Sequence, residues 1–289
     1  MARQPYRAGS FYAADEASCR RHADDLVNRA TLPEDLPQAP CGGLVPHAGW
    51  VFSGRTAALT LKALAERGQL GRVIVFGSDH WGVADGAAVY DQGAWETPLG
   101  AVPVDEELTA ALLAAVEGLR PDRRAHAREH SIEVQLPLMQ VVCPEVRVVP
   151  INLSPSQQAV QLGRKIGELL KRDFPKASVV GSTDLTHYGP SYGFAPGGLG
   201  PAGLAWAREN DGRLLKLIQT MQAEKVIEET AARHNACGGG AIAATMAACS
   251  AMGATRGICL EYTTSAEVME RMHSGGGADC VGYAAVIFA

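Results

Sequence analysis

The run Val73-Ile74-Val75-Phe76 is apolar without interruption and rich in β-branched residues, then stops at Gly77-Ser78-Asp79-His80. No polar residue alternates through it, which predicts a strand buried on both faces at the centre of a helix-covered sheet. The stretch from Ala177 to Gly189 repeats this grammar: an apolar strand, then Gly181-Ser182, Asp184 and, two residues later than in the first case, His187. A third stretch, Gly42 to Trp50, runs from a short apolar segment into Pro46-His47-Ala48-Gly49. Three predicted strands therefore end in a histidine. In open α/β sheets chemistry collects beyond the carboxyl ends of the strands, which makes His47, His80 and His187 candidate site residues.

The intervening pattern is helical. A polar helix is expected from about Asp15 to Ala30, then a Pro-rich link from Leu32 to Pro40. A second helix carries Ala57, Leu61 and Leu64 on one face and ends at Gly68. The opening strand and Leu70 to Phe76 are expected to lie side by side. Ala87 to Trp95 reads as an exposed strand, with a turn at Thr97 to Gly100 leading into Val102-Pro103-Val104. Asp105 is a good N-cap for Glu106 to Val116. Ser131 to Val142 presents Ile132, Leu136 and Met139 as a core helix with Pro137 as a kink point. Val146 to Leu153 reads as a strand and Gln157 to Arg172 as an amphipathic helix. The glycine- and proline-rich stretch from Tyr192 to Gly203 reads as a long loop near His187, of the kind that serves as a lid. Helices from Leu204 to Gln222 and from Ala223 to Ala232, an Ala-rich helix opened by Cys237-Gly238-Gly239-Gly240 and running to Met252, and strands at Thr255 to Tyr262 and Val281 to Phe288 complete the chain. Alternating strands and helices predict a layered α/β/α fold around a central mixed, largely parallel sheet, as one domain over residues 1–289.

Composition narrows the function. The net charge of −5, with no Lys/Arg cluster, gives no footprint for nucleic acid or an anionic membrane. No apolar run approaches the roughly 18 residues of a membrane span, and the first ten residues lack the apolar core of a secretion signal, so a cytoplasmic protein is expected. Seven cysteines without a C-x-x-C pair fit reduced thiols.

Imidazole is both the common transition-metal ligand and the side chain that titrates near neutrality, so histidines gathered at strand ends suit a metal or general-base site. Cys237 is the natural fourth member, because it precedes a helix start where free N–H groups favour thiolate. A free cysteine is more often a small buried apolar residue, and the other six are left with that reading. His126-Ala127-Arg128-Glu129-His130 matches the H-x-x-E-H pattern of inverted zinc peptidases, but five residues where a helix is only starting are a weak signature. Glu129, His130 and Tyr188 are expected to line the same pocket.

Taken together, Arg7-Ala8-Gly9-Ser10-Phe11-Tyr12, Pro46-His47-Ala48-Gly49, the run from Glu129 to Pro137, the run from Ser182 to Gly189, and Cys237-Gly238 resemble the Memo family, in order and across the chain. The resemblance implies a fold shared with class III extradiol dioxygenases, whose Fe(II) is held by two histidines and a glutamate. By position, His47 and His80 resemble the histidine ligands and His187 the base or a further ligand. Cys237 stands in the place of the glutamate, and Asp184 is a neighbour with a catalytic role. A thiolate in place of a carboxylate makes the metal softer-liganded, so Fe(II) is the first expectation and copper or zinc compete. In bacteria and archaea the resemblance also implies AMMECR1-like and radical S-adenosylmethionine protein partners. Two functions follow from it: a metal-dependent oxidoreductase acting on a small phenolic or enediol substrate, or a non-enzymatic metal- or peptide-binding module on a dioxygenase scaffold.

Overall fold

A computed structural model describes residues 2–273 and 278–289. The first part of the chain forms β1 (Ala2–Arg3), α1 (Glu16–Arg29), β2 (Gly42–Val45), α2 (Trp50–Arg67) and β3 (Arg72–Ser78). Next come β4 (Ala87–Val89), β5 (Ala94–Thr97), β6 (Gly100–Pro103), α3 (Glu106–Ala115), β7 (Leu119–Pro121), α4 (Leu136–Val142), β8 (Arg147–Leu153), α5 (Gln158–Asp173) and β9 (Ala177–Ser182). The last part forms β10 (His187–Tyr188), α6 (Gly200–Gln219), α7 (Ala223–Arg233), α8 (Gly239–Met252), β11 (Gly257–Thr264), α9 (Ser265–Arg271) and β12 (Cys280–Phe288). Side-chain caps set several starts: Asp15 accepts from Ser18 N, and Asp105 accepts from Leu108 N as its position before the helix predicts.

Among the described residues nine strands form one mixed sheet, in the order β10-β12-β2-β9-β3-β8-β4-β7 with β11 paired to β12. Its centre, β2-β9-β3-β8, is parallel. The opening strand and β3 are not neighbours, contrary to the simplest reading, because β9 lies between them and pairs with both. Both faces of this centre are apolar. Leu44, Ile74, Phe76, Val149 and Val179 pack under α3, α5 and α8, while Val45, Val73, Val75, Val148 and Val180 pack under α1, α2 and α4. Burying each such side chain stabilises by about 1.5–3 kcal/mol, which makes the helix-covered layer the only stable place for these strands. On the first face α5 meets α8 closely: a Cβ at Gly163 or Gly167 would collide with the carbonyls of Ala244 and Ala248. That contact fixes α8, whose amino end follows Cys237.

The remaining differences from expectation have local causes. Ala87 to Trp95 is not one exposed strand. Its first half, β4, is buried in the main sheet, and its second half, β5, joins β1 and β6 in a separate sheet after a turn at Gly93, φ 89°. Ser131 to Val142 is not one kinked helix either: a 3-10 turn at Glu133–Gln135 leads into α4, and Pro137 stands in the first turn of α4, where no backbone N–H is missed. The stretch from Tyr192 is bounded by a 3-10 turn at Pro190–Tyr192, and its end is the first turn of α6. Among the described residues no helix is long and apolar enough to cross a membrane.

One buried histidine gives the fold an acid limit. His126 is fully buried, its Nε2–H donating to the Ala88 carbonyl at 3.0 Å, and burial pushes its pKa down to about 4. A histidine depressed in the folded state protonates first in the unfolded chain, so its contribution is complete above about pH 6.5 and is lost as pH falls towards 4. Roughly 3 kcal/mol of stability is expected to disappear across that window on its account. Denaturant titrations at a series of pH values should show a shallower fall in His126→Gln, and equal slopes would remove the assignment.

Candidate metal centre

His47 leaves β2 through Pro46 and His80 leaves β3 through Asp79, so two imidazoles stand at the carboxyl end of the parallel centre with β9 between their strands. The third comes from the connection between the 3-10 turns Arg123–His126 and Glu133–Gln135, which delivers His130. The ring centroids lie 5.0 Å (His47 to His80), 5.4 Å (His47 to His130) and 4.8 Å (His80 to His130) apart. One ring nitrogen from each comes within 4.8 Å of the other two. Three imidazoles from separate segments have converged on one point.

Each ring is oriented from behind. The Ser182 hydroxyl donates to the Ser131 carbonyl at 2.7 Å, so at 3.0 Å from His47 Nδ1 it accepts, which makes Nδ1 a donor nitrogen. His80 Nδ1 faces both carboxylate oxygens of Glu129, at 3.0 and 3.1 Å. Glu129 is completely buried and also accepts from the backbone N–H groups of His80, His130 and Ser131. Burial works to raise its pKa, but the hydrogen bond from His80 and those from the backbone hold it well below the usual carboxylate range. Burial likewise disfavours the charged His80 ring, and the hydrogen bonds to Cys237 and Glu129 outweigh it, raising His80 to about 10. His130 is pushed the other way, to about 3, by burial and then by the neighbouring His47. Its Nδ1 is buried with no hydrogen-bond partner among the described residues, since Glu129 at 3.6 Å is too distant. Three converging imidazole nitrogens, two of them on rings oriented from behind, are a donor set that fits a metal ion, and a carboxylate behind a ligating histidine is the usual supporting arrangement.

Cys237 joins the group from the loop before α8. Its Sγ lies 3.2 Å from His47 Nε2 and accepts from Asp184 N at 3.3 Å. Burial raises the thiol's pKa, but the charge and hydrogen bond of His47 and the hydrogen bond of His80 overcome that and bring it down to about 6. Asp184, expected to be catalytic, accepts the His47 N–H at 2.7 Å through Oδ1, so its clearest task is to hold the backbone of a candidate ligand. His187 stands on the same cavity but outside the three-histidine group. Its Nδ1–H donates to the Leu185 carbonyl at 3.1 Å, with Tyr192 edge-on at 5.0 Å. Tyr188 is not at the pocket: it is 1% exposed, packs beside Phe194 and Trp206, and its hydroxyl donates to the Gly198 carbonyl. Glu129 lies behind His80 rather than on the cavity surface. Of the residues expected to line the pocket, His130 is the one whose ring nitrogen the fold brings within 4.8 Å of those of His47 and His80, and the H-x-x-E-H string had singled it out.

The three rings, Asp184 and His187 open into a cavity of about 860 Å³, walled further by Phe11, Phe52 and Tyr283. Fold and site together define a layered α/β protein with a histidine-rich, metal-type centre at the carboxyl end of its sheet. The chain belongs to the Memo family: the family model for Memo-like proteins matches residues 3–287. Similar proteins include a MEMO1 family protein of Methanopyrus kandleri, 38% identical with 100% of this chain and 99% of that one aligned. Another, from Thermococcus onnurineus, is 35% identical with 100% and 99% aligned. Among solved structures, an uncharacterized protein of Escherichia coli K12 matches with a TM-score of 0.57 and 13% identity over 86% of this chain and 99% of that chain, a likeness of fold alone.

Proposed function

We propose that this protein binds a transition metal at His47, His80 and His130, with Cys237 alongside, and uses it as an oxidoreductase centre for a small phenolic or enediol substrate. The observation that carries this reading is the convergence of three ring nitrogens within 4.8 Å of one another at the wall of an open cavity. When bound, the ion would supply Lewis-acid activation of a chelating substrate oxygen together with redox chemistry. Fe(II) is the first expectation, and the softer thiolate also suits copper or zinc. The protein's own part is to position and to move a proton. His187, held as the Nδ1–H tautomer by Leu185, offers Nε2 as a base to a substrate hydroxyl in the cavity. Phe11, Phe52 and Tyr283 give an apolar wall for a ring.

Metal analysis of anaerobically purified protein, followed by oxygen-electrode assays with simple catechols, tests the reading. Metal bound by the wild type and lost on ligand substitution, with catechol-dependent oxygen uptake, is the expected result. A binding module without turnover is the second reading, favoured by Cys237 in the place the family resemblance gives to a carboxylate. It predicts metal and ligand binding with no uptake, and that Cys237→Glu raises Fe(II) preference without restoring turnover. Glu129→Gln removes the charge behind His80 and is expected to weaken metal affinity by about 10–100-fold, measured by competition with a chromophoric chelator. An unchanged affinity would show that Glu129 does not support a ligand.

A further inference from the structure

Helix α6 buries two polar residues in mid-helix, Asn210 and Asp211, 3% and 1% exposed, where an apolar pair would pack at lower cost. Their partners are the two segments that carry Cys237 and His187. The Asn210 side-chain amide donates to the Arg233 carbonyl at 3.0 Å and to Thr186 Oγ1 at 3.1 Å. Its backbone carbonyl accepts from Asn235 Nδ2 at 3.1 Å. Asp211 accepts the Thr186 N–H at 2.8 Å and the Tyr262 hydroxyl at 2.8 Å. Residues 233 and 235 are thus gripped on either side of His234, which is held at φ 52°, ψ 37°. A side chain in this left-handed region costs of order 1 kcal/mol or more and persists only where its surroundings over-determine it. Immediately beyond, Ala236 forms an antiparallel bridge with Leu185, and Cys237 N donates to the Asp184 carbonyl at 3.2 Å.

We infer that Asn210 is a positioning residue: through the strained turn at His234 it seats the Cys237 thiol against His47, and through Thr186 it keeps the His187 segment in the same register. The inference rests on the metal-site reading for its purpose, and on hydrogen bonds and backbone geometry for its substance. The left-handed residue is the C-cap of α7, its N–H donating to the Thr230 carbonyl, and the bonds to residues 233 and 235 fix how the chain leaves that cap towards Cys237.

The test uses the full-length protein in two forms. In the metal-free form, alkylation of Cys237 by iodoacetamide is followed by peptide mass spectrometry. Asn210→Ala removes both side-chain hydrogen bonds and is expected to raise the rate about tenfold or more. In the Co(II)-loaded form the thiolate-to-cobalt absorption in the near ultraviolet should weaken, while the visible bands of histidine-bound cobalt remain. His234→Gly relieves the strain instead of removing a buried partner, so it should fold at least as stably as the wild type and still quicken alkylation. That variant serves where Asn210→Ala fails to fold. A wild type that binds Co(II) without a thiolate band overturns the Cys237 part of the metal reading, and the alkylation arm still reports on positioning. Unchanged alkylation in the variants overturns the inference about Asn210.

Discussion

Replacing His130 by alanine is expected to abolish metal loading, whereas His187→Ala should leave it intact. The contrast is large because the two residues face the same cavity in different ways. The His130 ring stacks on His80 at 4.8 Å and supplies one of the three nitrogens that lie within 4.8 Å of one another, so its removal deletes one of the three converging donors. Supporting residues behind a metal ligand are worth about 10–100-fold in affinity, and loss of a ligand itself should exceed that range. His187 has its Nδ1–H committed to Leu185 and lies outside the mutual 4.8 Å group, so its loss should appear in turnover or substrate proton transfer. Metal content by mass spectrometry under limiting metal decides between them. Full loading of His130→Ala together with an empty His187→Ala would restore the ligand set that the family resemblance implies.

The second large effect is expected at Glu133. Its fully buried carboxylate accepts from Arg3 Nη1 at 2.8 Å, from the backbone N–H groups of Tyr6 and Arg7 at 2.8 and 2.7 Å, and from the Tyr12 hydroxyl at 2.7 Å. These four donors staple the amino-terminal segment to the body of the protein, and that segment supplies Phe11 and Tyr12 to the cavity wall. Glu133→Ala leaves the Arg3 guanidinium buried without its counter-charge and several donors unanswered. Breaking such a pair from one side costs about 3–5 kcal/mol. A fall of that size in urea unfolding is expected. Glu133→Gln, which keeps two acceptor sites but not the charge, should fall between the alanine variant and the wild type. A change of less than about 1 kcal/mol in the alanine variant, the size of an ordinary surface effect, would mean that the segment is held elsewhere.

Some of this was readable from residue order. The apolar runs ending in Gly77-Ser78-Asp79-His80 and in Pro46-His47 put two histidines at strand ends, and both stand there. Asp105 caps its helix. Apolar continuity without alternation announced a sheet covered on both faces, because only burial on both sides rewards such a run. The Cys237-Gly238-Gly239-Gly240 string marked a helix start that the fold brings to His47.

Tertiary structure decided the rest. Strand order is not written in local periodicity: β2, β3 and β9 are all mainly apolar, and which of them takes the position between the other two is decided by long-range packing. His130 lies in a segment with neither helical nor strand period, so the H-x-x-E-H string could mark it as a pocket candidate but not tell that it would approach residues 80 and 47. That approach is enforced by Glu129, which gathers the N–H groups of His80, His130 and Ser131 on one buried carboxylate, and by Ser182, which ties His47 to the same segment. The sequence by itself determined which segments become strands and helices, since side-chain periodicity decides which faces can be buried. Which loop ends meet, and so which three imidazoles share a point, depended on buried hydrogen bonds between residues far apart in the chain, which form only once the sheet is assembled.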